Sequence, residues 1–158
     1  EALRFYQGDP EPSARGPEGM APIWIEADSS EEQRVQLDRI LSHLVYEEKV
    51  SPADIAILTP KGATSTSLRN LEEIGKWRLT PIESRTDDAI GWSTIRKFKG
   101  LESPVVVITE LGDDLARSER MRELIYVGIT RARDCLVMIG SKGMLSLLRG
   151  ESVPSAGA

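Results

Sequence analysis

A single cysteine among 158 residues rules out an internal disulfide framework, and a zinc cluster cannot be assembled from this chain alone. That cysteine, Cys135, sits in the apolar run Cys135-Leu136-Val137-Met138-Ile139 and reads as a buried structural thiol. Nowhere do eighteen or more apolar residues follow one another, so no segment reads as a transmembrane helix. The N-terminus has neither the basic-then-apolar order of a secretory leader nor an Arg-rich amphipathic one, which makes a soluble, cytoplasmic protein the expectation. Also lacking is any G-x-x-x-x-G-K-[ST] loop, the backbone cradle and lysine that a P-loop ATPase needs for its β- and γ-phosphates. No acidic pair follows an apolar strand in a way that would hold magnesium, and no metal ligands are assigned within the chain.

What is present suits one domain with a sizeable core, since a chain of this length buries roughly two-thirds of its unfolded surface. Composition is ordinary, with 40% hydrophobic and 28% charged residues. The net charge of −5 argues weakly against nucleic-acid binding driven by overall charge. Yet the basic residues are unevenly placed: Arg96, Lys97, Lys99, Arg117, Arg120, Arg122, Arg131 and Arg133 crowd one part of the sequence, and the acid lies mostly before residue 90. This asymmetry fits a domain that meets phosphate along one edge, and equally a solvated basic face.

Residues 1–22, rich in proline and glycine from position 8, read as an irregular segment; residues 23–150 read as the domain and 151–158 as a flexible tail. Within the domain, Ile23-Trp24-Ile25-Glu26 is a short strand. Ser30 followed by Gln33 is a capping-box pattern that opens a helix with Leu37, Ile40, Leu41 and Leu44 on one face. Ile55-Ala56-Ile57-Leu58 is an uninterrupted apolar strand, and Leu68, Leu71 and Ile74 mark a second helix ending near Gly75. Strands follow at Trp77 to Ile82, Trp92 to Ile95 and Val105 to Ile108, then a helix with Met121, Leu124, Ile125 and Gly128. A last buried strand, Leu136 to Ile139, precedes a closing helix, Met144 to Leu148. Apolar runs without alternation mark strands covered on both sides, so the expected fold is α/β, a mainly parallel sheet with helices on both faces.

Two stretches carry the chemistry. In Ser93-Thr94-Ile95-Arg96-Lys97-Phe98-Lys99-Gly100-Leu101-Glu102, a strand ends, a basic turn closes at Gly100 and a new strand begins. That places Thr94, Arg96, Lys97, Lys99 and Glu102 at a carboxyl-end crevice, where α/β sheets bind ligands. A hydroxyl and cations suit phosphate; Glu102 either pairs with them or accepts from a ligand hydroxyl such as a ribose. In Tyr126-Val127-Gly128-Ile129-Thr130-Arg131-Ala132-Arg133, a helix delivers Arg131 to its C-terminal end, with Gly128 and Ala132 small enough for close packing. A guanidinium held so can bind a phosphoryl group in bidentate fashion. A cation that merely complements the helix dipole is the competing reading.

The first stretch resembles motif V of UvrD-like superfamily 1 helicases, Thr-Leu-His-x-x-Lys-Gly-Leu-Glu, and the second resembles their motif VI. The resemblance is specific over residues 92–140, looser around Ile55 to Leu58, and general in layout before residue 50. It implies the second RecA-like domain of a DNA helicase, P-loop NTPase-like in fold but without its own Walker A loop. It further implies that Arg131 is the catalytic arginine that reaches a nucleotide γ-phosphate. Gly100 and Glu102, with Arg131, would serve the nucleotide side, while Thr94, Arg96, Lys97 and Lys99 would contact single-stranded DNA. ATP with Mg²⁺ is then bound mainly by the first RecA-like domain of the same polypeptide. Two departures stand out: the family's motif V histidine is Arg96 here, and no accessory domain fits between Ile82 and Trp92. A non-enzymatic nucleic-acid-binding or interaction module derived from a helicase half is the alternative, and upstream sequence with or without a Walker A loop separates the two.

Overall fold

The computed structural model describes residues 21–150. The expected irregular segment as far as residue 20 and the expected tail from 151 lie outside them. Strand β1 (Ile23–Glu26) leads to helix α1 (Ser30–Ser42), followed by β2 (Ile55–Thr59), the short β3 (Glu73–Ile74), β4 (Trp77–Pro81), β5 (Ala89–Thr94) and β6 (Ser103–Leu111). Helix α2 (Glu119–Ile129), β7 (Ala132–Gly140) and α3 (Lys142–Leu148) complete the described chain. All seven strands join one sheet in the order β1-β7-β6-β2-β5-β4-β3, parallel throughout except for the β3–β4 hairpin. This is the α/β fold that the unalternated apolar runs predict.

Two cores lie on the two faces. Leu37, Ile40 and Leu41 of α1 pack on one with Ile55, Ile57, Val105, Val107 and Val137. Ile125 and Ile129 of α2 and Met144, Leu145 and Leu148 of α3 pack on the other with Leu58, Val106, Ile108, Leu136 and Met138. Each fully buried aliphatic side chain contributes roughly 1.5–3 kcal/mol relative to exposure, which outweighs the weak local propensities of such short helices. Cys135 is buried in the first core, and that burial, helped by the charges of Glu48 and Asp134, pushes its thiol up to about 12, so it stays a protonated packing group.

Two local expectations are corrected. The α1 cap lies one residue earlier than the pattern suggests: Ser29 Oγ accepts from Glu32 N at 3.1 Å, and Glu32 Oε1 accepts from Asp28 N at 2.9 Å. Gln33 is instead buried and donates to Ala27 O. The second predicted helix does not form. Leu68 sits in a 3-10 turn (Ser67–Asn70), Ile74 ends β3, and Gly75 turns the hairpin with φ of 59°. Helical spacing of three apolar residues misleads here because Leu68 and Ile74 enter the core from a turn and a strand edge. Asp38 also packs against Gly75, so close that a Cβ there would meet its carboxylate.

Candidate nucleotide and nucleic-acid interface

The strand polarity decides where the motif residues lie. β5 and β6 both run parallel to β2, with Thr94 beside Thr59 at the carboxyl ends and Val105 beside Ile55 at the amino ends. The connection 95–102 must therefore carry the chain from one edge of the sheet back to the other. It does so across the α2 face, with Ile95 and Phe98 buried beneath it. The expectation of one carboxyl-end crevice holding Thr94 through Glu102 is thus corrected: Thr94 stands at the carboxyl edge, Glu102 at the amino edge, and the basic turn spans the distance between. Parallel pairing requires this return crossing.

The turn is built from its own backbone. Thr94 Oγ1 is buried and accepts from Lys97 N at 3.1 Å, Phe98 N reaches Thr94 O at 3.1 Å, and Leu101 N reaches Phe98 O at 3.0 Å. Gly100 adopts φ of 86° with open space around the position of a Cβ, so backbone conformation alone demands glycine. Gly100→Ala is expected to cost roughly 1 kcal/mol of stability, the penalty for a left-handed alanine. An unchanged urea midpoint would show that the turn adapts instead. Of the cations, Lys97 is committed to Glu83, Nζ to Oε2 at 2.7 Å, and that hydrogen bond holds the Glu83 carboxyl below its usual range. Arg96 and Lys99 are exposed. Glu83 is a residue that sequence reading missed; it lies in a polar turn with no motif to mark it.

At the amino edge, α2 ends with Thr130, whose Oγ1 donates to Val127 O at 2.7 Å. Arg131 follows at once. Its Nη2 and Nε donate to Thr130 Oγ1 at 3.1 and 3.3 Å, and Nη1 approaches Leu101 O at 3.4 Å. The Arg131 carbonyl accepts from Ser103 N at 3.0 Å. Arg131 therefore touches the residues on both sides of Glu102, and the two motifs meet at this edge. Lys99, Gly100, Glu123, Tyr126, Thr130 and Arg131 are among the residues that line one shallow depression. The exposed Glu102 side chain does not line it. Close packing supports the arrangement: a Cβ on Gly128 would meet Ile95 Cδ1 at 2.8 Å, so α2 lies directly against the crossing connection. Arg122, another residue without a predicted role, bonds the Ala116 carbonyl and ties the start of α2 to the preceding turn.

The carboxyl edge between β2 and β6 holds a different constellation, which sequence reading did not find. Glu110 has φ of 63° and accepts from Thr59 Oγ1 at 2.7 Å, from Thr66 Oγ1, and from Ser67 N and Oγ at 3.1 and 3.0 Å. Burial by itself would raise its pKa, but the hydrogen bonds from Thr66, Thr59 and Ser67 win and hold the carboxyl below its ordinary value. A register shift between Ile108 and Leu111 accompanies it. The extra residue moves Leu111 onto the same core as Val106 and Ile108, against simple alternation.

Residues 92–139 match the model of the UvrD-like helicase C-terminal domain. Among solved structures, the C-terminal domain of a possible DNA helicase from Lactobacillus plantarum WCFS1 is similar over 98% of this chain and 86% of that one, with 21% identity and a TM-score of 0.61. No curated protein matches the chain. Among the described residues no helix is long and apolar enough to cross a membrane. Residues 92–139 are thus similar to the UvrD-like helicase C-terminal domain, and the seven-stranded sheet that contains them shares its fold with that solved C-terminal domain.

Proposed function

We propose that this chain is the second RecA-like motor domain of an ATP-dependent superfamily 1 DNA helicase or translocase. It would supply Arg131 to ATP held mainly, with Mg²⁺, by the first RecA-like domain of the same polypeptide, and would contact single-stranded DNA through the 94–99 turn. One observation carries this reading: the Arg131 guanidinium is anchored to Leu101 O, at the far end of the same connection that begins at Thr94. The donor set fits a phosphate. Arg131 is half-buried and braced by Thr130, Lys99 lines the same depression, and neither cation forms an ion pair among the described residues, Glu123 on the wall included. Hydrolysis of the terminal phosphate is the chemistry that bound ATP brings. This chain's part is to offer a fixed charge where negative charge develops, and to link that charge to the strand-binding turn. Glu102, exposed at the same edge though outside the depression, would accept from a ribose hydroxyl.

The chain alone is expected to show no ATPase above background with single-stranded DNA present, because it has no phosphate-binding loop. The full-length protein is expected to turn over ATP in a DNA-dependent manner. Turnover by the isolated chain that depends on its own residues would overturn the proposal, as would a full-length protein that binds DNA and never hydrolyses ATP.

A further inference from the structure

Helix α2 carries a second concave surface besides the one at Arg131. This depression, of about 400 Å³, lies toward the start of the helix and is lined by Arg96, Arg120, Glu123, Leu124 and Val127. Arg96 comes from the crossing connection and Arg120 from the first turn of α2, so two elements each bring an arginine to one hollow. Both are exposed, and neither side chain forms a hydrogen bond or ion pair among the described residues. Lys97 differs, since Glu83 already holds it. Glu123 and Val127 line both this depression and the one at Arg131, so the two hollows share a wall. Residues 120, 123, 124 and 127 fall on one helix face by their spacing.

We propose that α2 forms part of the polynucleotide track: Arg120 and Arg96 together receive one backbone phosphate of a single strand, and Glu123 ends the track by repelling further phosphates from the Arg131 side. Two arginines lining one hollow, neither side chain held in an ion pair among the described residues, favour a shared anion even with Glu123 on the wall, and a phosphate oxygen pair suits two guanidinium groups. Leu124 and Val127 provide an apolar floor for sugar or base. A carboxylate on the common wall keeps the strand and the nucleotide apart, which a motor that binds both through neighbouring cations requires. The proposal rests on the reading that the 94–99 turn meets single-stranded DNA.

The test is fluorescence anisotropy of a labelled oligothymidylate with the full chain across a salt titration. Arg120→Ala is expected to weaken binding several-fold and to flatten the plot of log K against log salt by about 0.7, the share of one phosphate on a single strand. Arg120→Lys should restore most of that slope, and Glu123→Gln should tighten binding. Because residues 120 and 123 are exposed, a circular dichroism spectrum identical to wild type is expected for each variant. If the wild type binds and Arg120→Ala leaves both affinity and slope unchanged, the track along α2 is overturned while the turn's role stands. If Lys99→Ala and Arg96→Ala also change nothing, or the wild type does not bind, the parent reading falls and this proposal with it.

Discussion

Arg131→Ala in the full-length protein is expected to lower DNA-stimulated ATP turnover by about a thousand-fold or more, the range for removing an arginine that stabilises phosphoryl transfer. DNA affinity should hardly move, because Arg131 stands at the amino edge of the sheet and the turn proposed to contact DNA starts at the carboxyl edge. The side chain is braced rather than buried: Thr130 Oγ1 orients the guanidinium from one side and Leu101 O from the other, leaving part of its donor fork free. Lysine at this position would keep the charge and lose the fork, so Arg131→Lys should recover only a minor fraction of the rate. Stopped-flow or steady-state phosphate release measures both. A variant that keeps the wild-type rate would falsify the assignment of Arg131 to the nucleotide, whatever its fold.

Glu110→Ala is expected to destabilise the domain by about 2–3 kcal/mol, since it strips the acceptor from buried Thr59 and Thr66 hydroxyls and from Ser67. Glu110→Gln keeps one acceptor oxygen and should cost less. The pH dependence has a definite sign. The folded-state pKa of Glu110 is depressed, so its carboxylate contributes stability that is fully present above the ordinary value of 4.5 and is lost as pH falls through the lower folded-state value. Urea denaturation from neutral pH down into this acidic window should therefore show wild type losing more stability than Glu110→Gln. Parallel losses in the two proteins would mean that Glu110 is not held ionised by its partners. The outcome bears on function as well, because Glu110 pins the segment after β2 onto the sheet edge.

Most elements of the fold were legible in the residues. The runs Ile55 to Leu58, Val105 to Ile108 and Leu136 to Ile139 are interior strands because nothing polar interrupts them, and they are interior because helices cover both faces. The helix that delivers Arg131 was legible too, from the Met121, Leu124, Ile125 and Gly128 stripe. The segment 67–75 was not, since three apolar residues at helical spacing satisfy a turn followed by a hairpin equally well. Glu110 left no trace either. A carboxylate at the end of an apolar strand looks like a solvated end residue until the bulge turns it toward Thr59, Thr66 and Ser67, which are 51, 44 and 43 positions away.

The order of residue types along the chain determined that an α/β sheet would form, that no phosphate-binding loop would accompany it, and that basic side chains would gather in residues 96–133. It also determined the two motifs, because each is a local run whose turn and helix form from neighbouring backbone groups. Tertiary structure alone decided which edge each motif residue occupies. Strand direction is a property of pairing between distant segments, so only the parallel alignment of β5 and β6 with β2 could separate Thr94 from Glu102 and bring residue 131 beside residues 101 and 103.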